Sequence, residues 1–340
     1  MWQGGDALAF CCKLRNSTSM KIRDAGGEFE LLRTLSERSY FNASEAVIVP
    51  VGDDAAVMQG SSGPLVATVD TIVEGRHFST RYFSPQAIGV RAVEGAVSDL
   101  VAMGATPKYI LCALILPERS TVEEIEGLYF GIRQSLDRVK ADLVGGDTNS
   151  GSENLSISVT ALGELPLGFT GIRRSGARPG DLVFVTGGLG GSATGLALLT
   201  SDQAGFEEVK QYHLTPRCRV DLVEKLRGCA SAAIDISDGL SSELSHLATQ
   251  SGVGITIEYE KLPIKAGVIE AAATLGIDPS IAVLHGGEEF EILFTAAPEY
   301  VLLLASFATV IGEVVHGEGV VLTHAGARSP LVARGFVHLR

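Results

Sequence analysis

The chain has few aromatic and few cationic residues. Only 6% of it is aromatic, and 27 lysines and arginines stand against 40 aspartates and glutamates, a formal net charge of -13. That balance excludes a nucleic-acid partner held by a basic surface. Long apolar runs are absent too: 109–116 is among the longest, well short of the roughly 20 residues of a membrane-spanning helix. Cysteine is scarce, and Cys11, Cys12, Cys112, Cys218 and Cys229 have neither zinc-like spacing nor an even framework. A reducing compartment, the cytoplasm, is therefore expected. No basic residue precedes the apolar piece 7–12, which makes it a poor signal peptide. Met20 is a more natural start than Met1, so 1–26 is set aside as an extension open to disorder. A Walker A sequence is missing, so ATP chemistry here would run without a P-loop lysine.

Glycine is in excess, 40 of 340 residues, in a composition of 46% hydrophobic and 20% charged residues that describes a folded globular protein. The length exceeds one typical core, so two domains are expected. Segments 46–51, 65–69, 109–116 and 155–165 read as strands. Ser84-Pro85 opens a helix with a serine cap and a proline in its first turn, and 121–140 is a second, amphipathic helix. Pro166, Gly168 and Gly171 form a linker, and a turn-rich lead at 174–181 enters a strand at 182–186. The expected fold is α/β (α+β), with an N-terminal domain over 27–165 and a C-terminal domain over 166–340. Gly188-Leu189-Gly190-Gly191-Ser192-Ala193 fits the loose dinucleotide fingerprint. No apolar strand ending in an acid follows about 20 residues later, so a tight strand-to-helix turn is the better reading.

Five aspartate motifs carry the chemistry: Gly52-Asp53-Asp54, Val69-Asp70-Thr71, Ser98-Asp99-Leu100, Gly145-Gly146-Asp147-Thr148 and Asp235-Ile236-Ser237-Asp238-Gly239. Turn preference explains any one of them. Five with one grammar point to a shared site. Four follow apolar runs, so their carboxylates are expected at strand C-terminal ends, where open α/β folds bind ligands. On a helix over 85–103, at about 100° per residue, Asp99 falls beside Ile88, Ala92 and Ala96, with Arg91, Glu94 and Ser98 on the polar face. A carboxylate on the apolar side needs a partner, and a metal ion would be one. The donors are all hard oxygens, which suit magnesium. Aspartates, magnesium and nucleotide together make a phosphoryl-transfer constellation.

Around these motifs, Gly27-Glu28-Phe29, Glu74-Gly75-Arg76-His77-Phe78, Met103-Gly104-Ala105 and Gly286-Gly287-Glu288-Glu289-Phe290-Glu291 stand in the order found in thiamine-monophosphate kinases, and the chain resembles that family from 27 to its C-terminus. The aspartate motifs alone are shared with aminoimidazole ribonucleotide synthetase and selenophosphate synthetase; the His77 and 286–291 segments discriminate. The resemblance implies a two-domain aminoimidazole ribonucleotide synthetase-like fold and a homodimer paired through the N-terminal sheet. ATP and several magnesium (Mg2+) ions would lie between the domains, with a potassium ion (K+) left open. It implies metal ligation by Asp54, Asp70, Asp99, Asp147, Asp235 and Asp238. Thr68 and Val69 match further ligating positions, Val69 through its carbonyl alone. Tyr129, Gly146, Arg174 and Ser237 match ATP-contacting positions, while His77, Glu288 and Phe336 match substrate-contacting ones. Taken singly, His77 reads as a packed histidine, Tyr129 as core, and Arg174 as a surface partner of Asp181.

The implied reaction is ATP plus thiamine monophosphate giving thiamine diphosphate and ADP, by direct in-line transfer with no catalytic side chain. A phosphate monoester, with a second pKa of about 6, is already ionised at neutral pH and needs no general base. The obstacle is repulsion between two anions, which magnesium relieves. Two other readings stay open: a different ATP-dependent enzyme of the same superfamily, and a nucleotide-binding protein without catalysis.

Overall fold

The computed structural model describes residues 20–22, 24, 28–52 and 55–335. Helix α1 (Glu28–Glu37) precedes a short ribbon of β1 (Val47–Val49) and β2 (Val57–Met58). Then follow β3 (Leu65–Val73), α2 (Pro85–Ala102), β4 (Thr106–Leu116), α3 (Val122–Val139), β5 (Asp142–Ser150) and β6 (Ser156–Glu164). The last four strands make one sheet in the order β3-β6-β4-β5, antiparallel except between β4 and β5. Side chains next to the helices fix where they begin. Ser84 caps α2 by accepting from Ala87 N, with Pro85 in the first turn. Thr121 and Glu124 form a reciprocal capping box on α3, and Lys140 ends it in the left-handed conformation.

The polar face expected of α2 does not meet water. Arg91, Glu94 and Ser98 are 2%, 1% and 0% exposed, because the C-terminal half covers that side of the helix. Glu94 shows the seam: it accepts from Arg138 Nε of α3 at 2.9 Å and from Cys218 N at 2.9 Å. Periodicity separates the faces of a helix, but it does not tell solvent from a second domain.

The C-terminal half contains β7 (Leu182–Thr186), α4 (Gly191–Thr200), α5 (Glu207–Leu214), α6 (Val223–Arg227), β8 (Ala230–Asp235), α7 (Leu240–Ser251) and β9 (Gly254–Glu258). It continues through α8 (Val268–Leu275), α9 (Pro279–His285), β10 (Ile292–Ala296), β11 (Ala308–Val315), β12 (Gly319–His324) and β13 (Ala327–Pro330). Its seven strands form one sheet in the order β13-β12-β9-β11-β7-β10-β8. On one face Val183, Val185, Ile234 and Leu293 pack with Leu244 of α7 and Val283 of α9. On the other, Phe184 and Phe294 stack at 5.1 Å and join Ile88, Leu100 and Leu128 of the N-terminal half in one apolar cluster. A single hydrophobic mass runs through both halves.

Strand β3 continues to Val73, beyond the expected end at 69, and β5 contains Asp147. Asp70 and Asp147 are thus mid-strand residues, not strand-end ones. Each sits on an edge strand of its sheet, where a polar side chain is tolerated. Asp235 is the last residue of β8, and Asp238 lies in the turn beyond it. On the sheet face away from α2, the β1–β2 ribbon covers Tyr109, Leu111 and Leu162, while Val69 and Ile115 stay exposed. Within 1–26, Met20 O accepts from Val122 N at 3.0 Å; Cys11, Cys12 and Gly27 lie outside the described residues. Among the described residues, no helix is long and apolar enough to cross a membrane.

Candidate active site

The two halves meet at a cleft of about 570 Å3. Asp70 of β3, His77 from the turn after it, Asp99 of α2, Asp235, Ser237 and Asp238 after β8, and Glu288 before β10 all line it. Thr68 stands behind them and donates to Asp99 Oδ2 at 2.7 Å. Gly95 lets α2 approach β3: a Cβ there would lie 3.1 Å from Asp70 Oδ2. Ser98 donates to Asp235 Oδ2 at 2.8 Å. Below the turn, Glu243 Oε1 accepts from Asp238 N at 2.8 Å, while its other oxygen is buried with no hydrogen-bond partner.

These carboxylates are held against their charge. Burial first, and then the neighbouring Asp99, push Asp235 up to about 7. Burial likewise raises Asp99; the Thr68 hydroxyl opposes that rise and the Asp70 charge adds to it. Burial pushes Glu243 up to about 8. Such a cluster is favoured by added positive charge. Among the described residues no three acidic, imidazole or thiolate groups already encircle a point where an ion would sit. The oxygen donors nonetheless fit magnesium, which is commonly held by one or two carboxylates, waters and substrate phosphates rather than by a complete protein cage.

His77 Nδ1 accepts from Val73 N at 3.0 Å, so a neutral ring carries its proton on Nε2. Glu288 sits at φ +62, its N–H donating to Ser237 O at 2.7 Å, and its carboxylate pairs with Arg91.

Other predicted residues are elsewhere. Asp70 pairs with Val159, Val159 with Cys112, and Cys112 with Gly146. Three strand spacings, roughly 14 Å, therefore separate Asp70 from Gly146 and Asp147. Asp147 accepts from Asn149 Nδ2 at 2.7 Å on the exposed edge. Tyr129 faces the core, edge-on to Phe41 at 5.6 Å, and burial raises its phenol strongly. Arg174 is exposed and its charge favours ionised Asp99 and Asp235. Asp181 is bonded instead by Ser231 Oγ at 2.6 Å. Val69 is exposed. Asp54 and Phe336 lie outside the described residues.

Sequence reasoning missed Arg91, Ser98, Glu243 and His213. A signal existed for the first two: Arg91, Glu94 and Ser98 form one polar row on a helix whose other residues, Gln86 and Asp99 aside, are small or apolar. Such a row on a helix with no solvent-type surface marks a seam between packed units.

Two α/β halves closing an acid-lined cleft define the class of AIR synthase related proteins. Residues 52–165 match the AIR synthase related protein N-terminal domain, and 178–325 match its C-terminal domain. Within that class the chain belongs to the thiamine-monophosphate kinase family. It is 40% identical over 274 residues to the thiamine-monophosphate kinase of Aquifex aeolicus, covering 79% of this chain and 88% of that protein. The crystal structure of thiamine-monophosphate kinase from Stenotrophomonas maltophilia superposes with a TM-score of 0.78 at 34% identity, covering 87% of this chain and 96% of that one. AaThiL complexed with AMPPCP and TMP gives 0.75 at 35% identity, over 94% of this chain and 100% of that one.

Proposed function

We propose that this protein transfers the terminal phosphoryl group of ATP to the phosphate of thiamine monophosphate, giving thiamine diphosphate and ADP. The observation that carries the proposal is the match over 94% of this chain to a relative solved with AMPPCP and TMP. Four aspartates facing one cleft support it. In this reading Asp70, Asp99, Asp235 and Asp238 hold magnesium, with Asp54, Asp147, Thr68 and the Val69 carbonyl as further ligands. Magnesium bound there supplies positive charge between two anionic phosphates. The protein's share is to aim oxygens: Thr68 fixes Asp99, Ser98 fixes Asp235, and Glu243 fixes the Asp238 peptide. Tyr129, Gly146, Arg174 and Ser237 serve ATP; His77, Glu288 and Phe336 serve the acceptor. Because the acceptor phosphate is already ionised, transfer is direct and in line, with no catalytic side chain.

A cytoplasmic homodimer, with domains over 27–165 and 166–340, completes the proposal. Strands β3 and β5 are both free edges of the N-terminal sheet, and Val69 and Ile115 leave its open face apolar. A second copy laying its β5 beside β3 would cover that face and bring its own Asp147 towards Asp70. The test is ADP release from ATP with thiamine monophosphate, with free thiamine, and with no acceptor, at varied magnesium and potassium. Magnesium-dependent release with thiamine monophosphate alone is expected. Comparable release with free thiamine would mean that a base deprotonates the hydroxyl, and acceptor-independent release would remove the kinase reading.

A further inference from the structure

Arg91 belongs to α2 in the N-terminal half, yet its polar contacts lie in the C-terminal half. It is 2% exposed. Its Nη1 donates to His213 O at 3.0 Å, and its Nη2, without an aligned hydrogen-bond acceptor, pairs by charge with Glu288 Oε1. The Phe83 ring lies 5.4 Å from the guanidinium and meets the His213 ring edge-on at 5.4 Å. His213 Nδ1 lies 3.0 Å from Ser192 Oγ and 3.8 Å from Glu288 Oε2. Burial, and then the Arg91 charge, lower His213 to about 3, so at neutral pH the positive charge beside Glu288 is that of Arg91. Glu288 and Phe290 are both non-glycine residues in the left-handed region, at φ +62 and +51, a backbone that persists only where its surroundings enforce it.

We propose that Arg91 is a positioning residue for acceptor recognition, holding the Glu288 carboxylate in one direction in the cleft so that it receives the hydrogen-bond-donating heterocycle of the acceptor. The inference rests on the reading of Glu288 as an acceptor-binding residue. Arg91 and Asp99 stand on the same helix, and Asp235, Asp238 and Glu288 on the facing half. The pair therefore sets how far the ring end of the acceptor lies from its phosphate end. A planar, forked cation suits this task because it holds the carboxylate and the His213 carbonyl at once.

The experiment measures KM for thiamine monophosphate, KM for ATP and kcat in Arg91→Met, Arg91→Lys, Glu288→Gln and the Arg91→Met/Glu288→Gln double variant, each with its thermal midpoint. Arg91→Met should raise KM for thiamine monophosphate about tenfold or more while KM for ATP stays within about twofold, the loss of the charged partner that orients Glu288. Arg91→Lys, which keeps the charge, should recover part of that loss. The double variant should match Glu288→Gln rather than multiply the two effects. Should Arg91→Met fail to accumulate, Arg91→Lys alone and combined with Glu288→Gln carries the same comparison. If Glu288→Gln leaves KM for thiamine monophosphate unchanged, the reading of Glu288 fails and takes this inference with it. If Glu288→Gln raises that KM but the Arg91 variants do not, or change both KM values equally, only the role of Arg91 is overturned.

Discussion

Thr68 and Ser98 each give one hydroxyl to an aspartate whose charge burial opposes. One hydrogen bond apiece does not offset the loss of water, so in the proposed reading magnesium would be what favours the ionised pair. Asp99→Asn keeps the shape and removes the charge. Turnover should fall roughly 100-fold or more, while the thermal midpoint of the metal-free protein holds or rises because a repulsion is gone. Wild-type turnover at limiting magnesium would make Asp99 structural. His213 titrates away from the aspartates, and in the opposite sense. Its folded value of about 3 lies below the ordinary 6.5, so its contribution to stability is complete above 6.5 and is lost as pH falls towards 3. Between pH 6.5 and 4.5 that loss is about 2 kcal/mol. The thermal midpoint of His213→Gln should therefore fall less steeply over that interval than that of the wild type; parallel curves would show that the imidazole is not buried neutral.

Helices α2 and α3 cross so closely that side chains would not fit. A Cβ on Gly131 would lie 2.0 Å from Gln86 O, and one on Gly89 would lie 2.1 Å from Leu128 O. Gly131→Ala must push α2 away from α3, at about 1–3 kcal/mol or more. Because α2 carries Asp99, turnover should drop along with the denaturation midpoint; an alanine variant as stable and active as the wild type would contradict the crossing. Both helices were legible in the sequence, within a residue or two, because Ser84-Pro85 and the Thr121/Glu124 box are local signals. Strand β3 was read four residues short because Asp70 interrupts its apolar pattern, and sequence does not show which strand is an edge. The cleft's aspartates, His77 and Glu288 were legible as motifs, whereas Arg91 and His213 were not. Their mutual arrangement was not, since Arg91 meets Glu288 across 197 positions of sequence and only the packing of two domains brings them together. The same gap hid the distance between Asp70 and Asp147: the motifs look alike, but strand order places them on opposite edges.

That separation makes an intersubunit site testable in the whole molecule. Asp70→Asn and Asp147→Asn variants, each inactive alone, are mixed under conditions that exchange subunits. If each site takes Asp70 from one copy and Asp147 from the other, every mixed dimer holds one intact site, and random exchange restores about a quarter of wild-type activity. Sites contained within single chains give no recovery. Sedimentation at micromolar concentration supplies the companion measurement, with a dimer expected.

The shared apolar cluster decides how the enzyme can move. Phe184 and Phe294 of the seven-stranded sheet sit in the same mass as Ile88 and Leu100 of α2, and the buried Glu94 carboxylate, paired with Arg138, fastens Cys218 N to the seam. Swinging the halves apart would wet that mass, break the Cys218–Glu94 hydrogen bond and part Arg91 from Glu288, so a clamshell cycle is closed to this fold. Entry and exit fall to the segments that rim the cleft, the turn bearing His77 and the chain at Arg334 and Gly335. Small-angle scattering should therefore return the same radius of gyration for the empty protein and for the protein saturated with AMPPCP and thiamine monophosphate. A contraction of several percent would show that the halves do hinge, and the continuous core would then have to open with every turnover.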